Sequence, residues 1–301
     1  MPPAENPLTV ALTPRAMADL LKATLHAWLD DRAPTMGAAL AYYTLFSMAP
    51  LLLIAISVAG AVFGLDAARG EILGQLSGLL GRDGAAAVES LLKSVQRNDQ
   101  SVIGTTVGIV LLLLGATTVF AELQDSLNRI WKVPATGPAP VVSNFHGGWL
   151  LLRTRLMSFG LILGIGFLLM VSLAVSAALA AWGRWWAPVF GSWEALLVLA
   201  NHAFGFVLTA TLFALIYKYM PRERIGWSDV WLGSAVTASL FTLGKGAIGW
   251  YISGSGVASG FGAASSIVVL LVWVYWSAQV FLLGAEFTWV FAHRFGSRRI
   301  A

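Results

Sequence analysis

The sequence predicts an all-α integral membrane protein: six transmembrane helices, an N-terminal interfacial helix, and a short helical cap between the first two spans. Three observations carry that expectation. Of 301 residues, 57% are hydrophobic and 11% charged, where a soluble domain carries about 25% charged residues. Long apolar segments recur along the chain, each reaching the ~20 residues that cross ~30 Å of hydrocarbon. Lys and Arg gather on alternate loops, as the positive-inside rule requires of a multi-pass protein.

The elements follow in order. "MPPAENPLTV" lacks a basic stretch followed by an apolar one, so it does not read as a cleavable signal peptide, and the first span directs insertion. Residues 14–33 are amphipathic, with Met17, Leu20, Leu21, Leu25 and Trp28 at helical spacing and Lys22, Asp30 and Asp31 elsewhere. Two placements fit: a helix lying in the membrane interface, or one packed on the protein's own inner face. Spanning helices are expected at 37–62, 102–123, 156–182, 196–218, 230–252 and 265–291, with Pro50 kinking the first.

Between the first two spans, residues 64–100 carry two apolar stripes, Ile72/Leu76/Leu79/Leu80 and Val88/Leu91/Leu92/Val95. The "GRDG" at 81–84 separates them, which predicts two short amphipathic helices forming an extracytoplasmic cap. "VPATGPAPVVSNFHGG" (133–148) reads as a loop. "SGSGVASGFGAASS" (253–266) joins the last two spans, either as a tight connection or as a gate whose glycines permit backbone change. The whole is one membrane domain over 1–301.

Orientation comes from the basic residues. With the N-terminus in the cytoplasm, that side holds Arg15, Lys22, Arg32, Arg129, Lys132, Arg153, Arg155, Lys218, Arg222, Arg224, Arg294, Arg298 and Arg299. The other side holds Arg69, Arg82, Lys93, Arg97 and Arg184, and Lys245 falls inside a span. Both termini are therefore expected in the cytoplasm. The same placement explains the sequence pI of about 9.6 without nucleic acid. The partners expected are membrane lipids, whose anionic headgroups the loop cations can meet. A homo-oligomer is compatible with the pattern.

Several stretches carry a family resemblance: "AYYTLFSMAPLLL" (41–53), "LQDSLNRIWKV" (123–133), "RLMSFGLIL" (155–163), "YKYMP" (217–221) and "FGAASSIVVLLVWVYWSAQVFLLGAEF" (261–287). Together they resemble the YihY/BrkB family of bacterial inner-membrane proteins, also labelled "ribonuclease BN". Phe261 departs from the tyrosine expected before that glycine. The resemblance implies a six-span helical protein of the inner membrane. It implies no settled reaction: members have been attached to tRNA processing, virulence and export of lipid-linked envelope precursors.

The residues themselves argue against an enzyme. Metal-dependent RNA hydrolysis needs clustered His, Asp and Glu ligands, and the four histidines, His26, His146, His202 and His293, show no ligand spacing. Cys is absent, and no P-loop, dinucleotide fingerprint or nucleophile elbow calls for a catalytic residue, metal or cofactor. Without an ATPase motif, active transport would need an ion gradient or a partner.

What remains is a set of polar residues within the spans. Tyr275, Gln279 and Glu286 share one face of the last helix. Lys245 stands in "SLFTLGKGAIGW", where a charge costs at least ~2.5–3.5 kcal/mol. Helix arithmetic places it ~6 Å outward of its helix centre, with Glu286 ~13 Å and Glu122 ~15 Å inward of theirs, so no direct pair forms. Two polar layers are expected instead. The inner one holds Glu122 and Glu286 near Arg129, Arg153, Arg155 and Lys218, serving as packing ion pairs or as an inner mouth that relays protons. The outer one holds Lys245, Thr242, Asn201 and His202. Ser234, Ala238, Phe241 and Gly249 share the lysine's face, which should point into the bundle. Lys245 then either snorkels outward or anchors an anionic ligand. The functional expectation is a flippase-like transporter of an anionic amphiphile, with a non-transporting, lipid-binding scaffold as the alternative.

Overall fold

The computed structural model describes residues 14–96, 118–134, 194–254, 261 and 265–299. Most of the expected spans at 102–123 and 156–182, with most of both loops, lies outside them. Seven helices occupy the described residues, and no strand occurs among them: α1 (Pro14–Asp30), α2 (Ala33–Phe63), α3 (Leu65–Gln96), α4 (118–130), α5 (Glu194–Tyr219), α6 (Trp227–Gly254) and α7 (Ser265–Arg294).

Local chemistry sets the breaks. Pro14 opens α1, where its missing N–H costs nothing. Arg32, at φ 58°, turns the chain from α1 into α2, and Pro34 stands in the first turn of the new helix. Gly64, at φ 88°, ends α2 and donates its N–H to the Gly60 carbonyl at 2.9 Å. That left-handed conformation suits a residue without Cβ. Helix α3 begins at the next residue and doubles back on α2.

Helix α7 is the centre of the bundle and packs against α1, α2, α3 and α6, while α5 packs on α6. Small residues let α6 and α7 approach closely. A methyl placed on Gly233 would lie 1.9 Å from Thr288 Oγ1, and one on Gly284 would lie 1.9 Å from Thr237 Oγ1. Each helix thus supplies a glycine that receives the other's threonine, the close packing that drives association between helices in lipid. The Tyr217 hydroxyl ties in α5: it donates to the Phe281 carbonyl at 2.7 Å and lies 3.1 Å from Thr237 Oγ1.

The end of the bundle where α1, the α5–α6 loop and residues 295–299 meet is its base. There Leu127 and Ile130 of α4, with Trp131 in the turn after it, pack with Ala33, Met36, Tyr217, Leu282 and Ala285 in one cluster. Polar ties surround it. Gln124 donates to the Met220 carbonyl and the Arg222 N–H to Asn128. The buried Asp229 accepts from the Ser297 hydroxyl at 2.6 Å, and Arg298 pairs with Glu223.

Helices α2, α5, α6 and α7 coincide with four of the expected spans. Among the described residues, His202–Tyr219 and Ile267–Arg294 are long and apolar enough to cross a membrane by length and composition. Helix α2 continues through Pro50 without interruption. The expectation of two short cap helices is corrected: Leu65–Gln96 is one helix of 32 residues that passes through "GRDG". Val88 and Leu92 pack with Ala41, Ile56, Leu270 and Val274, and that burial outweighs the ~1 kcal/mol by which each glycine disfavours a helix. Helix α1 divides the two readings given to it. Leu20 is buried against Phe287 and Val290 of α7, while Met17, Leu21, Leu25 and Leu29 are exposed.

Candidate functional site

The base of the bundle holds the first candidate group. Glu286 is 0% exposed, and neither of its carboxylate oxygens has a hydrogen-bond partner among the described residues. Asp31 in the turn after α1, Lys132 and Asp30 are the charged groups that act on it. Lys132 forms an ion pair with Asp31 and lies 5.5 Å over the ring of Trp289. Both arms of this arrangement rest on left-handed backbone. Lys132 itself, at φ 52°, closes α4, and Arg32, next to Asp31, opens α2. These are the two non-glycine residues of positive φ among those described. Such conformations cost on the order of 1–3 kcal/mol each and persist where surrounding contacts hold them.

Along the same face of α7, the Gln279 side-chain nitrogen lies 3.5 Å from the Pro34 carbonyl and sits directly over Gly37, while its Oε1 is buried without a partner. Tyr275 packs with the α2–α3 cluster. The stripe Tyr275–Gln279–Glu286 is therefore one face, turned toward α2 and the α1–α2 turn.

Of the bases expected around the inner layer, Lys218 and Arg129 lie among the described residues. Lys218 donates to the Ile225 carbonyl and lies 5.2 Å over Trp227 rather than beside a carboxylate. Glu122 is half-buried on α4, and no contact joins it to Glu286 among the described residues. Arg129 is exposed, and Arg153 and Arg155 lie outside the described residues.

The second candidate lies in the half of the bundle away from the base. Lys245 is half-buried, with its ammonium 5.9 Å from the centre of the Phe241 ring. Among the described residues it has no carboxylate within ion-pair distance. Its face does not all point inward as expected. Ser234 and Ala238 are buried, but Thr242 and Gly249 are exposed, and among the described residues nothing lies within 4 Å of a methyl placed on Gly249 or on Gly246 beside the lysine. The Thr242 hydroxyl donates to Ala238 of its own helix. Leu243 and Trp250 are 73% and 80% exposed. His202 is exposed on α5, and the side chain of Asn201 lies outside what the structure describes. No described contact links this region to Glu286.

Chemically, the base offers two carboxyls against one ammonium in an enclosed place. The far half offers a cation on an apolar, open face. No group of three or more His, Cys, Asp or Glu side chains that could hold a metal ion occurs among the described residues.

A helical bundle with two described helices long and apolar enough to cross a membrane, and with a small-residue contact between helices, is built as an integral membrane protein would be. Its sequence matches the family model described as "Virulence factor BrkB" over residues 24–300. The chain belongs to that family, the YihY/BrkB family. A "UPF0761 membrane protein" of Tolumonas auensis is 28% identical over 261 residues, covering 86% of this chain and 80% of its own length. Proteins of the same name from Pseudomonas aeruginosa and Alkalilimnicola ehrlichii are each 29% identical, over 86% and 84% of this chain. This chain spans 59% and 53% of those two relatives. These names describe a membrane protein and no enzyme. No solved structure matches the chain.

Proposed function

We propose that this protein is a six-span, flippase-like transporter of the bacterial inner membrane, with both termini cytoplasmic, that carries an anionic amphiphile such as a lipid or envelope precursor. The observation that carries the reading is Lys245. It is a cation within a helix, unmatched by any described carboxylate, beside an apolar face where nothing among the described residues lies within 4 Å of a methyl placed on Gly246 or Gly249. A ligand with an anionic head and an apolar body complements both features: the head satisfies the ammonium, and the body covers the exposed rings and aliphatic groups.

Mass spectrometry of lipids retained by the purified protein tests the binding step. Anionic lipids are expected to be enriched on the wild type and lost from Lys245→Met, with unchanged thermal stability. Equal retention by both proteins would overturn the assignment. Movement of a labelled anionic lipid across reconstituted vesicles tests transport separately. The second reading, a lipid-binding scaffold that does not transport, draws support from the closed base around Glu286. It is favoured if binding depends on Lys245 while the lipid fails to cross.

A further inference from the structure

We propose that Glu286, Asp31 and Lys132 form a proton-binding site at the base of the bundle, and that proton release loosens the α1–α2 turn from α7. The proposal adds a proton-coupled step to the transport reading; the binding of the proton itself does not depend on that reading.

The argument starts from charge. Glu286 is enclosed, and its two oxygens accept no hydrogen bond from the described residues. A bare carboxylate in such a place is costly, because water is excluded and no donor replaces it. The charged groups facing it are Asp31 from the α1–α2 turn, Asp30 from the end of α1, and Lys132 from the end of α4. Asp30 is exposed. Arg32 opens α2 next to Asp31. On α7 itself, His293 reaches the cluster through Trp289, whose ring centre is 4.5 Å from the imidazole. One ammonium balances one carboxylate. With one proton bound to Glu286, the three central groups sum to zero. Without it they carry one uncompensated negative charge.

A second line of observation points to the same place. The Trp131 indole N–H in the turn after α4, the Ser126 hydroxyl on α4 and the Trp28 indole N–H on α1 are also buried without partners among the described residues. Trp131 belongs to the cluster that holds Ala33 and Ala285, the residue before Glu286, and Trp28 packs against it. Buried donors are nearly always satisfied, and ordered water is the usual partner when protein is not, so the open donors of this cluster mark where water can be received.

The mechanical link is the backbone. Asp31 precedes Arg32, and the ion pair's other member is Lys132; both Arg32 and Lys132 have positive φ. The contacts of the protonated cluster hold these conformations against their cost. Proton release breaks one O–H bond, passes the proton to the aqueous phase beside Asp31, and leaves two carboxylates competing for Lys132. The turn then separates from α7, or water enters, and either change exposes Ala33 and Ala285, both fully buried in the closed form.

The chain has no cysteine, so one introduced thiol reports on the base. Ala33→Cys is expected to react faster with a maleimide as pH rises, after correction by the exposed control Leu29→Cys. In a Glu286→Gln background, and in an Asp31→Asn background, the corrected rate is expected to stay flat. A flat rate with Glu286 present, or an equal rise in all backgrounds, would overturn the proposal. Infrared difference spectra of the wild type in lipid discs give a test that needs no variant. A carboxylic acid C=O band should remain at neutral pH, where exposed carboxyls are ionised, and disappear at higher pH. Its absence sinks the proposal even if every variant fails to fold. A protein that shows the band and the labelling response but retains no anionic lipid keeps the proton site and loses the transport reading.

Discussion

The two ends of this bundle use the same residue types to opposite effect. At the base, Gly233 and Gly284 receive Thr288 and Thr237 so closely that a Cβ cannot be added. In the far half, Gly246 and Gly249 on the same helix α6 face nothing within 4 Å among the described residues. The charges follow the same division. Lys132 at the base is paired with a carboxylate and seated on an indole, while Lys245 meets only the face of Phe241 among the described residues. A small residue or a cation within a helix therefore has no fixed meaning in a membrane protein. What the opposite surface supplies decides whether it locks the fold or stays open to a ligand.

The glycine contrast gives the largest expected effect. In Gly233→Leu or Gly284→Leu the new Cβ meets not only the threonine hydroxyl but also its Cβ, 2.8 Å away. Rotating the threonine cannot relieve that contact, so α6 and α7 must part. The expected loss is ~3 kcal/mol or more, the upper end of overpacking costs. Gly246→Ala and Gly249→Ala are expected to gain ~0.5–1 kcal/mol from reduced backbone freedom in the unfolded chain. Thermal unfolding in detergent reads both, and equal shifts at the two ends would break the comparison.

Next comes Lys132→Met. It leaves Asp31 facing Glu286 with no cation between them. Removing one member of a fully buried pair costs about 3–5 kcal/mol. The Lys132 side chain is 47% exposed, so solvent screening lowers the expected loss to about 1–2 kcal/mol. The double variant Lys132→Met/Asp31→Asn should recover most of it, and a double variant as unstable as the single would show that the ion pair matters only as packing. Tyr217→Phe follows at about 1 kcal/mol, since it strips the Phe281 carbonyl of its tyrosine donor. A neutral result there would mean that the carbonyl keeps its helix partner and needs no other.

The part of the fold that depends on period was legible in the sequence. Apolar length located α2, α5, α6 and α7, and the spacing of Tyr275, Gln279 and Glu286 assigned them to one face. The glycine and aspartate of "GRDG" carried a local preference that tertiary burial of Val88 and Leu92 overrode, so α3 was read as broken. The charged neighbours of Glu286 were out of reach for a different reason. Asp31 and Lys132 are 101 residues apart, and each stands at a helix end beside or on left-handed backbone, where no periodicity marks them. Depth arithmetic did separate Lys245 from Glu286. It could not show that the far part of the lysine's face is open, because that depends on which helix lies opposite.

The smallest expected effect tests which side of this division α3 belongs to. Glu89 and Lys93 form an i,i+4 ion pair at 2.8 Å on that helix, with side chains 40% and 60% exposed. The Lys93 ammonium, by hydrogen bond and charge, holds the Glu89 carboxyl below the usual carboxylate range. A carboxyl shifted down on folding stabilises the protein at pH values above its unfolded pKa, and that contribution is lost as pH falls through the lower folded value. In water such a pair adds little and is screened by salt. Glu89→Gln should therefore lower the melting temperature barely measurably at neutral pH, less still at high ionic strength, and not at all in acid. A large, salt-insensitive loss would mean that the pair sits in a medium of low dielectric constant, where charges attract strongly. Helix α3 would then be part of the closed bundle along its charged face as well as its apolar one, and the contrast between a sealed base and an open far half would have to be redrawn around it.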